Sequence, residues 1–452
     1  MNRHRIGAEY LPDNAGCTVS TVQYLTTPPG RELLETVEHF SAAAPMNVAC
    51  IARLRRRWPA QYIHAAAIVC ECHRRAAAEA GKFPPSPANP QRFWAVPEAL
   101  QQATSRAVAA HKATRFAAAM PGQLILDACC GIGGDSLGLA DAGPVVAVEA
   151  DSLRAWLARR NALATPTRHA INVIQADIRH APLQLSSIAG FHIDPARRSH
   201  GRRSFRYEDM FPGPSTIEML IWHIPNGAIK LSPATDFSHL PPGHLELIGE
   251  NRVTVQAVLW TGKIAATLGP AARTATLLTN NSPPWSITGQ PETITRLSPP
   301  ADWIYEVDGA VIRGGLGPEL MRHIGCTAVT IDGGYITSAE LLIHPALTAF
   351  RVRHVMPYLE RSLRRWLAEN KIHTPATSAC LEIKTRGGLG LDTDALQRRF
   401  KNFGPWTILI YRAANGIAVA ITERYVATSS LQVPHSTLLA HPPGYEALTD
   451  SP

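Results

Sequence analysis

The chain has 452 residues, with 44 basic against 36 acidic side chains and a formal net charge of +8. With 45% apolar and 18% charged residues it excludes a membrane span, a collagen or coiled-coil fibre and global disorder, and MNRHRIGAEYLPDN lacks the pattern of a secretory leader. Eight cysteines over this length make no disulfide scaffold, so a reduced, cytoplasmic, multidomain protein is expected, and the positive balance points to an anionic partner.

The first stretch reads as helical. Leu33, Leu34, Val37 and Phe40 fall at helical spacing, and the Ala-rich run 65–80 contains neither Gly nor Pro. Within that run Cys70-Glu71-Cys72-His73 lacks a second ligand pair at zinc spacing, so it reads as helix packing and no metal is expected. GKFPPSPANP (81–90) reads as a linker. Trp94 reads as core or as a base-stacking surface. A further helix is predicted from Pro97 to Phe116.

From Leu124 the pattern changes to apolar runs alternating with helix-compatible segments. LILDACC (124–130), VVAVEA (145–150), NVIQAD (172–177), GFHID (190–194) and GAIKLS (227–232) predict a parallel sheet with crossover helices, and QAVLWTG (256–262) and TATLLT (274–279) the last strands. After LSPPAD (297–302) comes a short unit containing WIYEVDGAVIRGGLG. The order strand, helix, strand, helix, strand, strand from AFRVRHVMPY to GIAVAITER then predicts a small ferredoxin-like α+β sandwich.

Charge is uneven along this order. Residues 1–120 carry +6, 121–297 carry +1, 298–344 carry −4 and 345–425 carry +7. A nearly neutral middle is thus flanked by two basic regions.

The strongest motif is Asp127-Ala-Cys-Cys-Gly131-Ile-Gly133-Gly134-Asp135, between a strand and a helix. Glycines there let the backbone approach a ligand closely. The G-x-G-x-x-G triple of a dinucleotide site is absent, and Asp127 at the strand end would repel a pyrophosphate while suiting a cationic ligand. S-adenosylmethionine, with an ammonium, a sulfonium and no phosphate, is therefore the expected cofactor. Its contacts are expected from Asp127, Cys129, Gly131, Gly133, Asp135, Glu149, Ala150, Asp177 and Ile178. Glu149 ends the second strand, where a carboxylate can accept both ribose hydroxyls. Asp177 ends the third, near an adenine edge, and Asp194 ends the fourth.

DACCGIGGD, VEAD, QADI and DPARR resemble successive motifs of class I S-adenosylmethionine-dependent methyltransferases. More narrowly the chain resembles bacterial methyltransferases with a THUMP-like carboxy-terminal domain, through ALQQATSRAVAAHKATRF, WIYEVDGAVIRGGL and LEIKTRGG. The core also resembles trimethylguanosine synthases. This implies an α/β, Rossmann-like class I methyltransferase domain at 93–296, preceded by a helical region at 1–92. A small α+β connector at 297–345, a ferredoxin-like (THUMP-like) domain at 346–427 and a disordered tail at 428–452 would follow. It also implies an RNA substrate, tRNA or rRNA, methylated on a base with an exocyclic amine favoured.

Asp194, Pro195 and Arg197 are the expected catalytic residues. Asp194 can accept a hydrogen bond from an attacking amine, or it can pair with Arg197 or Arg198. Amine-methylating enzymes carry an aromatic where Arg197 stands here. Lys112, Arg115, Arg198, Arg202 and Arg203 are the expected substrate contacts, since forked guanidiniums suit phosphate. Two other readings stay open: a methyltransferase acting on a small molecule or protein, and a non-catalytic RNA-binding protein retaining the fold.

Overall fold

A computed structural model describes residues 17–43, 47–78, 82–83, 93–196, 198–199, 202–203, 205–269, 272–279, 282–370 and 381–426. The chain divides into two units, Met1–Thr288 and Gly289–Pro452. The linker expected at 81–90 lies largely outside the described residues, and the tail expected at 428–452 lies wholly outside them.

The first unit begins with four helices, α1 (Val19–Tyr24), α2 (Pro28–Ala43), α3 (Val48–Arg55) and α4 (Ala60–Ala77). Thr18 starts α1 with a capping box, and the Asn47 side chain accepts from the Cys50 amide to start α3. Their apolar faces bury Leu33, Val37, Leu54, Ile63 and Val69 in one core with Trp94, Ile132 and Leu157. Burial of such side chains stabilises by roughly 1.5–3 kcal/mol each. The amino-terminal helices therefore share a core with the loop that follows the first strand.

The single helix expected from Pro97 to Phe116 is two, α5 (Pro97–Gln102) and α6 (Arg106–Ala119). Ser105 is the reason: its hydroxyl accepts from the Val108 amide at 3.3 Å and starts a new helix. The Lys82 ammonium closes α5, donating to the carbonyls of Leu100 (3.1 Å), Gln101 (2.6 Å) and Ala103.

The strands β1 (Ile125–Ala128), β2 (Val145–Glu149), β3 (Ile171–Gln175) and β4 (Gly190–Ile193) alternate with α7 (Gly134–Leu139) and α8 (Ser152–Ala164). After them come a hairpin, β5 (Arg198–Ser199) with β6 (Arg202–Arg203), then α9 (Pro214–His223) and β7 (Asn226–Leu231). The unit closes with β8 (His244–Glu250), β9 (Val253–Trp260), α10 (Gly262–Leu268), β10 (Arg273–Thr279) and β11 (Ser282–Gly289). Nine strands form one sheet in the order β11-β10-β8-β9-β7-β4-β1-β2-β3. It is parallel across β7, β4, β1, β2 and β3, but β9 runs antiparallel to both β7 and β8. The wholly parallel sheet expected from the sequence is thus mixed. Helix α6 lies against α7 because residue 138 is glycine: a Cβ there would stand 2.5 Å from the Ala109 carbonyl carbon.

Strand β8 escaped the sequence reading because His244 and Glu246 interrupt its apolar run, yet both are buried. Glu246 accepts from Thr276 Oγ1 (2.6 Å), Arg115 (2.8 Å) and Trp260 Nε1 (2.8 Å), and its Oε1 lies 2.9 Å from His111 Nε2. Burial opposes its charge, but His111 and Arg115 hold the carboxyl well below the usual range. Four partners make this buried charge a clamp between α6 and the sheet.

The second unit carries β12 (Trp303–Val307), α11 (Gly309–Gly314), α12 (Gly317–Ile324), β13 (Thr327–Ala328) and β14 (Tyr335–Ser338). Then come β15 (Leu347–Pro357), α13 (Glu360–Glu369), β16 (Glu382–Arg386), α14 (Thr393–Phe400), β17 (Thr407–Ala413) and β18 (Gly416–Arg424). They form one seven-stranded sheet, β13-β14-β12-β15-β18-β17-β16. Leu363, Leu367, Leu396 and Phe400 of the two later helices pack on Ile383, Ile408 and Ile421. The boundary expected at 345/346 falls inside this sheet, since β12 pairs with β15 from Trp303↔Arg351 to Val307↔Leu347. A pleated ladder across that point leaves no seam for two separate domains.

Candidate active site

The parallel register aligns the ends of neighbouring strands. Ala128 pairs with Val148 and with Ile193, and Ile193 pairs with Ile229. One residue further, Glu149, Cys129, Asp194 and Lys230 form a row across four carboxyl ends. The chain turns from β1 to β2 on one side and reaches β4 on the other, so the row lies at the switch point where ligands of α/β sheets bind.

The loop after β1 is shaped by backbone conformation. Cys129, Gly131 and Gly133 have φ of 59°, 59° and 86°, a region that costs a side-chain residue about 1–2 kcal/mol. The Gly131 amide donates to Glu149 Oε2 at 2.8 Å, and the Asp151 amide to Oε1 at 2.9 Å. Each oxygen keeps a further lone pair for a hydroxyl. Burial raises the Glu149 carboxyl above its ordinary value, and likewise pushes up the thiols of Cys129 and Cys130. Those thiols are packing groups, not nucleophiles. A Cβ built on Gly131 would meet nothing within 4 Å, which leaves a cradle beside Glu149. The donor set therefore fits a ligand with a ribose diol, which Glu149 and the 129–133 backbone would hold. Ala150 is exposed beside it and Gly133 is buried under the loop.

Two of the expected cofactor acids do not reach this cradle. Asp127 is fully buried, with Oδ2 taken by the Ser136 hydroxyl and Oδ1 2.8 Å from His192 Nδ1. Asp135 is 5% exposed and pairs with the Lys112 ammonium and the Thr104 hydroxyl, the latter at 2.6 Å. Both position the loop from beneath. Asp177 is one-third exposed, and its oxygens are shared with the Arg179 guanidinium at 3.0 Å. That pairing lowers its carboxyl to about 2. Ile178 is buried below it.

The expected substrate contacts Lys112 and Arg115 are corrected in the same way. Lys112 is 0% exposed and lies 3.0 Å from His192 Nε2. An ammonium can only donate, so Nε2 accepts and Nδ1–H donates to Asp127. Burial and the neighbouring Lys230 weaken the proton's hold on Lys112, while Asp135 counters them. Burial works against the charge on Asp135, but Lys112 and Lys230 more than offset it and keep its carboxyl well below the usual range. Arg115 belongs to the Glu246 clamp. Trp94 is core: its amide donates to Asn161 Oδ1 at 2.7 Å and its ring meets His73 and Trp156 edge-on. Cys70, Cys72 and His73 are buried on α4, and among the described residues no group of three or more His, Cys, Asp or Glu could hold a metal.

The sequence reading missed Lys230 and Thr104. Lys230 Nζ donates to Asp194 Oδ2 at 2.6 Å and to Thr104 Oγ1 at 2.9 Å. Asp194 is thus held by a lysine of the neighbouring strand β7, while the Arg197 and Arg198 side chains that the sequence also offered it lie outside the described residues. A buried polar chain runs Asp127–His192–Lys112–Asp135–Thr104–Lys230–Asp194. The only available hint was a lone lysine inside the apolar GAIKLS run. Pro195 is buried, and Arg197 lies outside the described residues. The backbone hairpin β5–β6 sets Arg198 opposite Arg203 and Ser199 opposite Arg202.

The chain as a whole has known counterparts. Two uncharacterized S-adenosylmethionine-dependent methyltransferases from two Mycobacterium tuberculosis strains are each 30% identical over 364 residues, covering 79% of this chain and 94% of theirs. The chain belongs to the S-adenosylmethionine-dependent methyltransferases. A Porphyromonas gingivalis protein described as a methyltransferase has the same fold, with a TM-score of 0.66 at 18% identity, over 88% of this chain and 99% of that one. No family model matches. The methyltransferase thus takes S-adenosylmethionine as its cofactor. No helix among its described residues is long and apolar enough to cross a membrane.

Proposed function

We propose that this methyltransferase modifies RNA, a tRNA or rRNA, at an exocyclic amine of a base. The observation that carries this reading is the β5–β6 hairpin. It begins four residues after Asp194 and pairs the backbone of Arg198 with that of Arg203. Arg197, Arg198, Arg202, Arg203 and Arg206 all follow Asp194 closely in sequence, and forked guanidiniums suit an anion. A phosphate backbone is such an anion. The basic stretches 1–120 and 345–425 support the same partner. The β15-α13-β16-α14-β17-β18 order supports reading that part of the second unit's sheet as THUMP-like and RNA-holding, and disulfide-free cysteines among the described residues are in keeping with a reducing cytoplasm.

Bound S-adenosylmethionine supplies an electrophilic methyl on a sulfonium. The residues then have to hold an amine lone pair about 3–3.5 Å from that carbon. Asp194 does so by accepting one amine N–H, with its side chain 28% exposed and its orientation fixed by Lys230. On transfer the nitrogen would gain the methyl at the expense of the donor's sulfur–carbon bond, and Asp194 would hold the amine proton until it passes to solvent.

The test is methyl transfer from labelled S-adenosylmethionine to RNA of a strain lacking the gene, followed by mass spectrometry of nucleosides. Transfer to one nucleoside is expected, with RNA affinity falling roughly 10³-fold between about 50 and 200 mM salt if some six phosphates are neutralised. Labelling confined to protein or small metabolites, or a flat salt response, overturns the RNA assignment.

A further inference from the structure

We infer that Phe211 is the ring on which the acceptor base stacks. The inference rests on the RNA reading above. Ala196, two residues after Asp194, forms an isolated antiparallel bridge with Phe211. The Ala196 amide donates to the Phe211 carbonyl at 2.7 Å and the Phe211 amide to the Ala196 carbonyl at 2.9 Å. Opposed residues of such a pair project to one face, and a residue two positions along an extended run projects there too. The bridge thereby sets Phe211 against the segment that carries Asp194.

The ring is 54% exposed, in a chain that buries most of its large apolar side chains. It is nevertheless held in place. The Arg179 guanidinium lies 4.8 Å from its centroid, and Asp177 grips that guanidinium in turn. A cation on one face fixes the ring and leaves stacking to the other. Position 197, where an aromatic would follow the acceptor residue in sequence, holds Arg. Phe211 supplies the ring from fourteen residues further on, through the bridge at Ala196. Planar bases stack on such rings whatever their hydrogen-bond pattern, each contributing enough that its loss lowers affinity roughly tenfold to a hundredfold.

The full-length protein and its Phe211→Ala, Phe211→Leu and Phe211→Trp forms test this in two measurements. One is quenching of a single-stranded oligoribonucleotide containing 2-aminopurine. The other is labelled methyl transfer to RNA, with S-adenosylmethionine affinity measured by calorimetry beside it. Phe211→Ala and Phe211→Leu should lose quenching and raise the KM for RNA at unchanged cofactor affinity, and Phe211→Trp should restore both. If wild-type protein methylates RNA and Phe211→Ala does so equally well, the inference falls while the RNA reading stands. Quenching that depends on Phe211 without any RNA methylation overturns the RNA reading and, with it, the ring's role at an acceptor base. Neither quenching nor RNA methylation overturns both.

Discussion

The ammonium of Lys230 donates to Asp194 Oδ2 at 2.6 Å, from the next parallel strand and at the same level. The same nitrogen donates to Thr104 at 2.9 Å, so one cation fixes both the acceptor-side acid and the break between α5 and α6. Lys230→Met should lose about 3 kcal/mol of stability in urea denaturation, at the lower end for a broken buried pair because Asp194 is partly exposed. Adding Asp194→Asn should recover part of that loss, and strict additivity of the two would deny the coupling.

Asp194→Ala should reduce methyl transfer at least about a hundredfold, since a displaced acceptor is enough for that. Cofactor affinity should hold, because Glu149 is oriented by the Gly131 and Asp151 amides and not by Asp194. Calorimetry and turnover on the same preparation check both halves, and unimpaired turnover would remove Asp194 from the reaction.

Gly131→Ala places a methyl into the open cradle and a side chain at φ 59°. Stability should fall by about 1–2 kcal/mol. Cofactor affinity should fall by more than tenfold, a difference visible when thermal melts are set against calorimetry.

Glu149→Gln keeps the shape and removes the charge, and should weaken cofactor binding roughly tenfold to a hundredfold. Burial raises the Glu149 carboxyl, so protons compete with the ribose at a higher pH than for an ordinary glutamate. Wild-type affinity should therefore decline as pH falls through that raised value, and the Gln form should lack this decline.

His344 gives the second unit an acid sensitivity. Its Nδ1 accepts from the Ala346 amide at 3.1 Å, and burial, with His323 nearby, lowers its pKa to about 4. The unfolded chain protonates near 6.5, so between these values it binds more protons than the folded one, and stability drops as pH falls through the window. The loss should be at most about 3 kcal/mol. His344→Asn, whose side-chain oxygen can accept the same amide, should flatten the slope in pH-dependent denaturation.

The sequence located the row of acids because each ends an apolar run, and Glu149, Asp177 and Asp194 do stand at strand ends. Direction was hidden. Nothing local says that Asp127 and Asp135 point beneath the loop, or that the Lys112 ammonium is sealed inside, since these depend on α6 lying against Gly138 of α7. Strand β8 was hidden by His244 and Glu246, polar residues made tolerable by partners up to 135 positions away. Phe211 could not be matched to Asp194 without the bridge at Ala196. Pattern reveals which residues are capable of chemistry; pairing over long loops decides which face the ligand.

The shared core of the amino-terminal helices has an evolutionary and practical corollary. Leu33, Leu54 and Val69 cover Ile132, which follows Gly131 in the cofactor loop, and Leu157 of α8. A chain begun at residue 93 would bare that greasy surface next to the cradle and invite aggregation. The helical segment is thus inherited as part of the enzyme's engine, and its sequence is free to drift only on the side that faces water.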